Sequence, residues 1–149
     1  IGENHEPETH AIPLAIQAAL GRLPRFQVFG TDYPTPDGSA IRDYVHVSDL
    51  ADAHVRALEY LVAGGSSIAL NLGTGQGHSV LQVVAAVEAE TGQRIALERA
   101  GRRPGDPAVL VAAAARARTT LGWTPAFTDL REIVRTAVAW ERRRAAQAR

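Results

Sequence analysis

The chain reads as an α/β protein. Short apolar runs bounded by turn residues alternate with longer segments of helical period, and a glycine falls just past the end of most of those segments. Such alternation points to parallel strand pairing. The 149 residues, 46% of them apolar, suffice for one core, since a domain of that size buries roughly 68–70% of its unfolded surface. One domain is the simplest organisation, with no internal repeat and no long linker.

The elements follow in order. Ile12, Leu14, Ala15, Ile16, Ala19 and Leu20 share a helical face that Gly21 ends. Phe26 to Phe29 is a short strand, and Pro34, Pro36, Asp37 and Gly38 then favour reversal. A strand from Ile41 to Val47 leads to a helix with Ser48 as N-cap, whose apolar face is Leu50, Ala53, Ala57, Leu58, Leu61 and Val62 and whose end is Gly64-Gly65. Ile68 to Leu72 is short and apolar, as buried parallel strands are. Ser79 and Gln82 form a capping-box signature for a helix through Leu81, Val84, Ala85 and Glu88 to Gly92. Ile95 to Glu98 is a strand, Val109 to Val111 is extended, and Ala112 to Leu121 favours helix until Gly122, with Pro125 reinforcing the break. Asp129 and Glu132 can cap a final helix with Leu130, Ile133, Val134, Ala137, Val138 and Trp140 on or near its buried side, and a fraying basic end runs from Arg142 to Arg149.

Formal net charge is zero, so no broad field recruits nucleic acid or an anionic membrane, and anion binding has to come from focused arginines. The absence of cysteine excludes disulfides, thiolate metal sites and a thiol nucleophile, and suits a reducing cytoplasm. Neither a signal peptide nor an apolar run of about 18 residues is present. All 16 basic residues are arginines. That matters for catalysis, because Tyr33, Tyr44 and Tyr60 have no lysine to lower a phenol pKa.

Arg42 sits in an apolar strand just ahead of an amphipathic helix, a setting that calls for an anion. Arg102-Arg103-Pro104-Gly105-Asp106 forms a second arginine cluster in a Pro/Gly loop. Converging on one cleft, the two would make a diphosphate clamp with a carboxylate beside it. Alternatively, Arg42 pairs with Asp43 or Asp37, and Asp106 pairs with Arg102 or Arg103. Phe29 is either a site residue or plain core. Gly73-Thr74-Gly75-Gln76-Gly77 lies between a strand and a helix, yet His78 stands where the third glycine of a dinucleotide fingerprint belongs, so a tight turn is the better reading. His5, His10, His46, His54 and His78 lack metal-ligand spacing. Ser48, Asp49 and His54 fail as a triad because Ser48 reads as a helix cap.

Phe29-Gly30-Thr31-Asp32-Tyr33-Pro34-Thr35, Asp37-Gly38-Ser39, Arg42-Asp43-Tyr44, Asn71-Leu72-Gly73 and Arg103-Pro104-Gly105-Asp106 together resemble, in order and spacing, the C-terminal half of the UDP-glucose 4-epimerases of the extended short-chain dehydrogenase/reductase family. The resemblance covers nearly the whole chain. It implies a C-terminal portion of an extended Rossmann-type epimerase: a small sugar-nucleotide-binding lobe, plus elements at about 48–72 that return to a cofactor-domain sheet lying outside this chain. It implies phosphate contacts from Arg42 and Arg103, a ribose contact from Asp106 and a uracil-contacting strand bearing Gln27 and Phe29. His10 and Ala11 match a pair lying along the nucleotide, with Ala11 replacing a larger apolar residue. Leu110 stands where side-chain bulk limits the sugar pocket.

The same resemblance implies an isomerase of galactose metabolism. In such enzymes NAD takes hydride from C4 of the sugar and returns it to the opposite face, and a Tyr-x-x-x-Lys pair exchanges the proton. NAD is then held mainly by an N-terminal half, and the substrate is a UDP-sugar. The chain begins at Ile1, and its first residues already match the family well past the usual cofactor-binding half. The expectation is therefore a C-terminal fragment, inactive alone, marginally stable, and drawn from a homodimer or complemented by a separate N-terminal half. Related sugar-nucleotide epimerases or dehydratases, and a half-protein that only binds UDP-sugar, are the alternatives.

Overall fold

A computed structural model describes residues 5–147 of the chain. The first helix, α1 (Ala11–Ala19), buries Ala15, Ile16 and Ala19, and β1 (Phe26–Phe29) buries alternate residues Phe26 and Val28. These alternations are the two periods expected of an amphipathic helix and a half-buried strand. β2 (Ile41–Arg42) leads to α2 (Val47–Val62), then β3 (His78–Ser79) and α3 (Val80–Thr91). The chain continues through β4 (Leu97–Ala100), β5 (Val109–Leu110), α4 (Ala115–Leu121) and α5 (Leu130–Gln147).

Two small sheets result. β1 and β4 pair in parallel, while a three-stranded sheet has the order β3-β2-β5, parallel between β2 and β5 but antiparallel between β2 and β3. The expectation of parallel pairing is thus corrected at β3. Its two residues make a strand too short to carry a periodic signal.

The main core lies where α1, α3 and α5 meet over β1, and Ile16, Val28, Val83, Val87, Val134 and Val138 are almost fully enclosed there. A second, smaller cluster gathers Ala53, Ala114, Ala117 and Trp123 between α2 and α4. Asp49 ties α2 to it: its carbonyl accepts from Trp123 Nε1 at 2.9 Å, and its carboxylate accepts from the N–H groups of Ala126 and Phe127, each at 3.0 Å. Buried Glu141 is paired with Arg22 at 2.6 Å and Arg144 at 3.0 Å, as a charge removed from water has to be.

Several boundaries move. The strand expected through Val47 stops at Arg42, and the N–H of Ala112, just past β5, is taken up by the Asp43 carboxylate at 3.3 Å. His46, not Ser48, is the N-cap of α2; its Nδ1 accepts the Ser48 N–H at 3.1 Å, and Ser48 lies inside the helix. Ile68 to Leu72 forms no strand; Leu70 and Leu72 pack instead against the small cluster. The strand expected at Ile95 begins at Leu97, and the helix expected at Ala112 begins at Ala115. The Ser79–Gln82 capping box is present in full. Asp129 accepts the Arg131 N–H at 2.9 Å, whereas Glu132 faces Arg135 at 3.5 Å. The final helix continues to Gln147 rather than fraying from Arg142; Ala148 and Arg149 lie outside the described residues.

Candidate anion-binding site

Strand register builds this site. β2 ends on Arg42, whose parallel partner in β5 is Leu110, and the loop between β4 and β5 carries Arg103 and Asp106 back over the strand ends. Arg42 donates to one carboxylate oxygen of Asp106, and Arg103 donates to the other from Nη2 at 3.0 Å. Two arginines remote in sequence therefore meet on one carboxylate. Arg42 is 20% exposed and Arg103 59%, so one guanidinium is held in the wall while the other reaches from the rim.

Phe29, at the end of β1, lies beneath Arg103, with the guanidinium carbon 5.0 Å from its ring centroid. That cation–π contact sets Phe29 against the arginine cluster. Gln27, two residues earlier, shares its sheet face and is exposed, whereas Phe26 and Val28 turn inward. Tyr33 contributes a residue that sequence reasoning missed: its hydroxyl donates to the Asp106 carbonyl at 3.3 Å, and Arg102 covers its ring at 4.5 Å. Arg102 itself pairs with Asp32 at 2.8 Å, not with Asp106. Gly30 makes this layering possible, because its φ is +77° and a Cβ there would meet the Tyr33 ring at 2.4 Å. Burial pushes the Asp106 carboxyl upward, but hydrogen bonds from Arg103 and Arg42 outweigh it and hold the group below its usual range.

Asp43 is the second residue missed. Just past the end of β2, Asp43 turns to the glycine turn, whereas Arg42 faces Asp106. There its carboxylate accepts the Thr74 N–H at 2.9 Å, the Thr74 hydroxyl at 2.6 Å and the Gly75 N–H at 3.0 Å. A Cβ on Gly73 would stand 2.5 Å from that carboxylate. These donors are engaged by a protein carboxylate, so the turn does not fit a dinucleotide phosphate.

His10 and Ala11 lie at the start of α1. The His10 ring is bonded to Glu8 at 2.8 Å and meets His5 edge-on, while Ala11 packs on the main core. The spacing of His5, Glu8 and His10 hid a proximity: among the described residues they place one potential ligand atom each within 4.8 Å of one another. His46 is buried and bonded to Thr136 at 2.9 Å, but His54 is exposed and bonded to its own helix at Leu50. Tyr44 cannot exchange a proton near neutrality: burial pushes its phenol up to about 12, only partly offset by Arg42.

Residues 1–73 match the NAD dependent epimerase/dehydratase family. The UDP-glucose 4-epimerase of Rhizobium leguminosarum bv. trifolii is 58% identical over 140 residues, which are 94% of this chain and 42% of that protein. Among solved structures, UDP-glucose 4-epimerase from Brucella ovis in complex with NAD superposes with a TM-score of 0.88 at 48% identity, covering 94% of this chain and 43% of that one. The enzyme from Stenotrophomonas maltophila, with bound NAD and formylated UDP-arabinopyranose, gives 0.88 at 46% identity over 97% of this chain and 43% of that one. The chain thus spans well under half the length of the relatives it matches. By sequence and by backbone alike, the chain is similar to a part of the UDP-glucose 4-epimerases, and its first 73 residues match the NAD dependent epimerase/dehydratase family.

Proposed function

We propose that this chain is the UDP-sugar-binding C-terminal part of an NAD-dependent UDP-glucose/UDP-galactose 4-epimerase. The observation that carries the proposal is the meeting of Arg42 and Arg103 on one anionic group above Phe29. A diphosphate likewise presents several anionic oxygens to two donors, and planar guanidinium forks suit it. Gln27 and Phe29 then lie along the base, Asp106 meets ribose hydroxyls once released, Leu110 beside Arg42 borders the sugar, and His10 and Ala11 flank the nucleotide. Holding the nucleotide firmly while the sugar turns uses binding energy from a remote part of the substrate for positioning.

No chemical step is assigned to this chain. It has no lysine, and among the described residues the turn at Gly73 to Gly77 is engaged by Asp43, so NAD and the proton-exchanging pair are assigned mainly to the part of the relatives' length that this chain does not span. The segment at about 48–72 is the surface on which that polypeptide packs. Val55, Leu58 and Val62 of α2 are open to solvent, and a cleft of about 290 Å³ runs between α2 and the unpaired run at Ile68. The assembled enzyme is a homodimer in the cytoplasm, or its cofactor half is a separate chain. Among the described residues no helix is long and apolar enough to cross a membrane.

Two experiments test the proposal. Calorimetry with UDP should give saturable heat, and Arg42→Ala or Arg103→Ala should weaken it by about one to two decades, as loss of a charge-assisted pair implies. No heat at millimolar UDP removes the binding reading. A product assay on the complete gene product with several UDP-sugars separates 4-epimerisation from the chemistry of related epimerases and dehydratases.

A further inference from the structure

Resting on the site reading above, the geometry points to a selectivity device: Asp106 is a built-in competitor that occupies both phosphate-binding arginines and so makes the site refuse inorganic phosphate and pyrophosphate. The two oxygens of its carboxylate are divided between the partners, one taken by Arg42 and the other by Arg103 at 3.0 Å. The trio carries one net positive charge instead of two, and the Arg42–Asp106 half of it is sheltered from solvent, at 20% and 17% exposure, while Arg103 reaches it from the rim at 59%. Any entering dianion has to displace a carboxylate already seated on its own binding groups, and then sit close to it.

The displaced group cannot retreat far. The Tyr33 hydroxyl holds the Asp106 carbonyl at 3.3 Å, and the Asp106 N–H donates to the Arg103 carbonyl at 3.2 Å, so release is a rotation of the side chain alone. A small inorganic anion has nothing else with which to offset that exchange. A larger ligand does: Phe29 and Gln27 provide an aromatic and amide surface beside the arginines. Selection between a bare diphosphate and one attached to a base is then set by the competitor as much as by the arginines.

Calorimetry on the complete gene product tests this with inorganic pyrophosphate as the probe, at fixed pH and ionic strength. Asp106→Asn keeps the shape and removes the charge, and Asp106→Ser serves as a second variant should the first fail to fold. Pyrophosphate binding is expected to tighten by about tenfold to a hundredfold in either variant. The rise in melting temperature on adding pyrophosphate should likewise exceed that of the wild type, because ligand linkage follows affinity. Unchanged or weaker pyrophosphate binding overturns the inference, even if UDP binding still depends on Arg42 and Arg103. If UDP binding is indifferent to both arginines, the site reading fails and the selectivity device with it.

Discussion

Asp43 shows how a single side chain sets the aim of its neighbour. It could have been the counter-ion of Arg42, but just past the end of β2 its carboxylate is taken up by Thr74, Gly75 and Ala112, leaving Arg42 to face Asp106. Replacing Asp43 with Asn removes the charge and sets an amide donor against N–H donors, which should destabilise the fold by about 2–4 kcal/mol in urea denaturation. Burial raises the Asp43 pKa, yet the hydrogen bonds from Thr74, Gly75 and Ala112 prevail and leave it below 3.8. Its stabilising contribution is therefore complete above that value and lost as pH falls through the lower folded one. Wild-type stability should drop below about pH 4, and Asp43→Asn should drop less steeply. Nothing in the local sequence reveals this role, because the donors come from chain segments far away. Arg42 and Arg103 stand out in the sequence by contrast, one in an apolar strand and the other in a Pro/Gly loop, and the structure brings both to Asp106.

Helices were read more faithfully than strands. The ends of α3 and α4 fall at Gly92 and Gly122 as the sequence pattern indicates, and the capping box of α3 forms as its residues imply. Capping is local chemistry, so it is visible locally. Strand limits depend on partners, and those of β2 and β3 are set by Asp43, by Ala112 and by the Val80 N–H bonded to Ala40 at 3.0 Å. The cap of α2 was misplaced by two residues because an imidazole acceptor lies outside the usual set of capping residues. His46 carries a prediction. Burial lowers its pKa below 6.5, with Asp49 and Glu132 opposing, so the neutral ring that accepts the Ser48 N–H is the folded form. The sign follows: its stabilisation is complete above 6.5 and fades as pH falls through the depressed value. His46→Ala should cost about 0.5–2 kcal/mol at pH 7.5, and the gap from wild type should narrow at pH 5.5 in urea titrations.

At the scale of the molecule, an enclosed core and an open face coexist. The core of α1, α3, α5 and β1 is complete within the chain, whereas Leu58 and Val62 of α2 remain 62% and 81% exposed. An apolar face beside an unpaired extended run invites association. The isolated chain should therefore self-associate and melt at a temperature that depends on concentration, and Leu58→Arg with Val62→Arg should shift it toward monomer in light scattering. A cooperative, concentration-independent melt of the monomer would contradict this. The central claim is the arginine pair closing on a nucleoside diphosphate, and a crystal structure of the complete gene product with UDP tests it most directly. Both guanidinium groups of Arg42 and Arg103 should lie on the diphosphate, with Phe29 still beneath Arg103 and the Asp106 side chain rotated off the arginines; UDP bound elsewhere, with the Arg42–Asp106–Arg103 trio intact, would overturn the proposal.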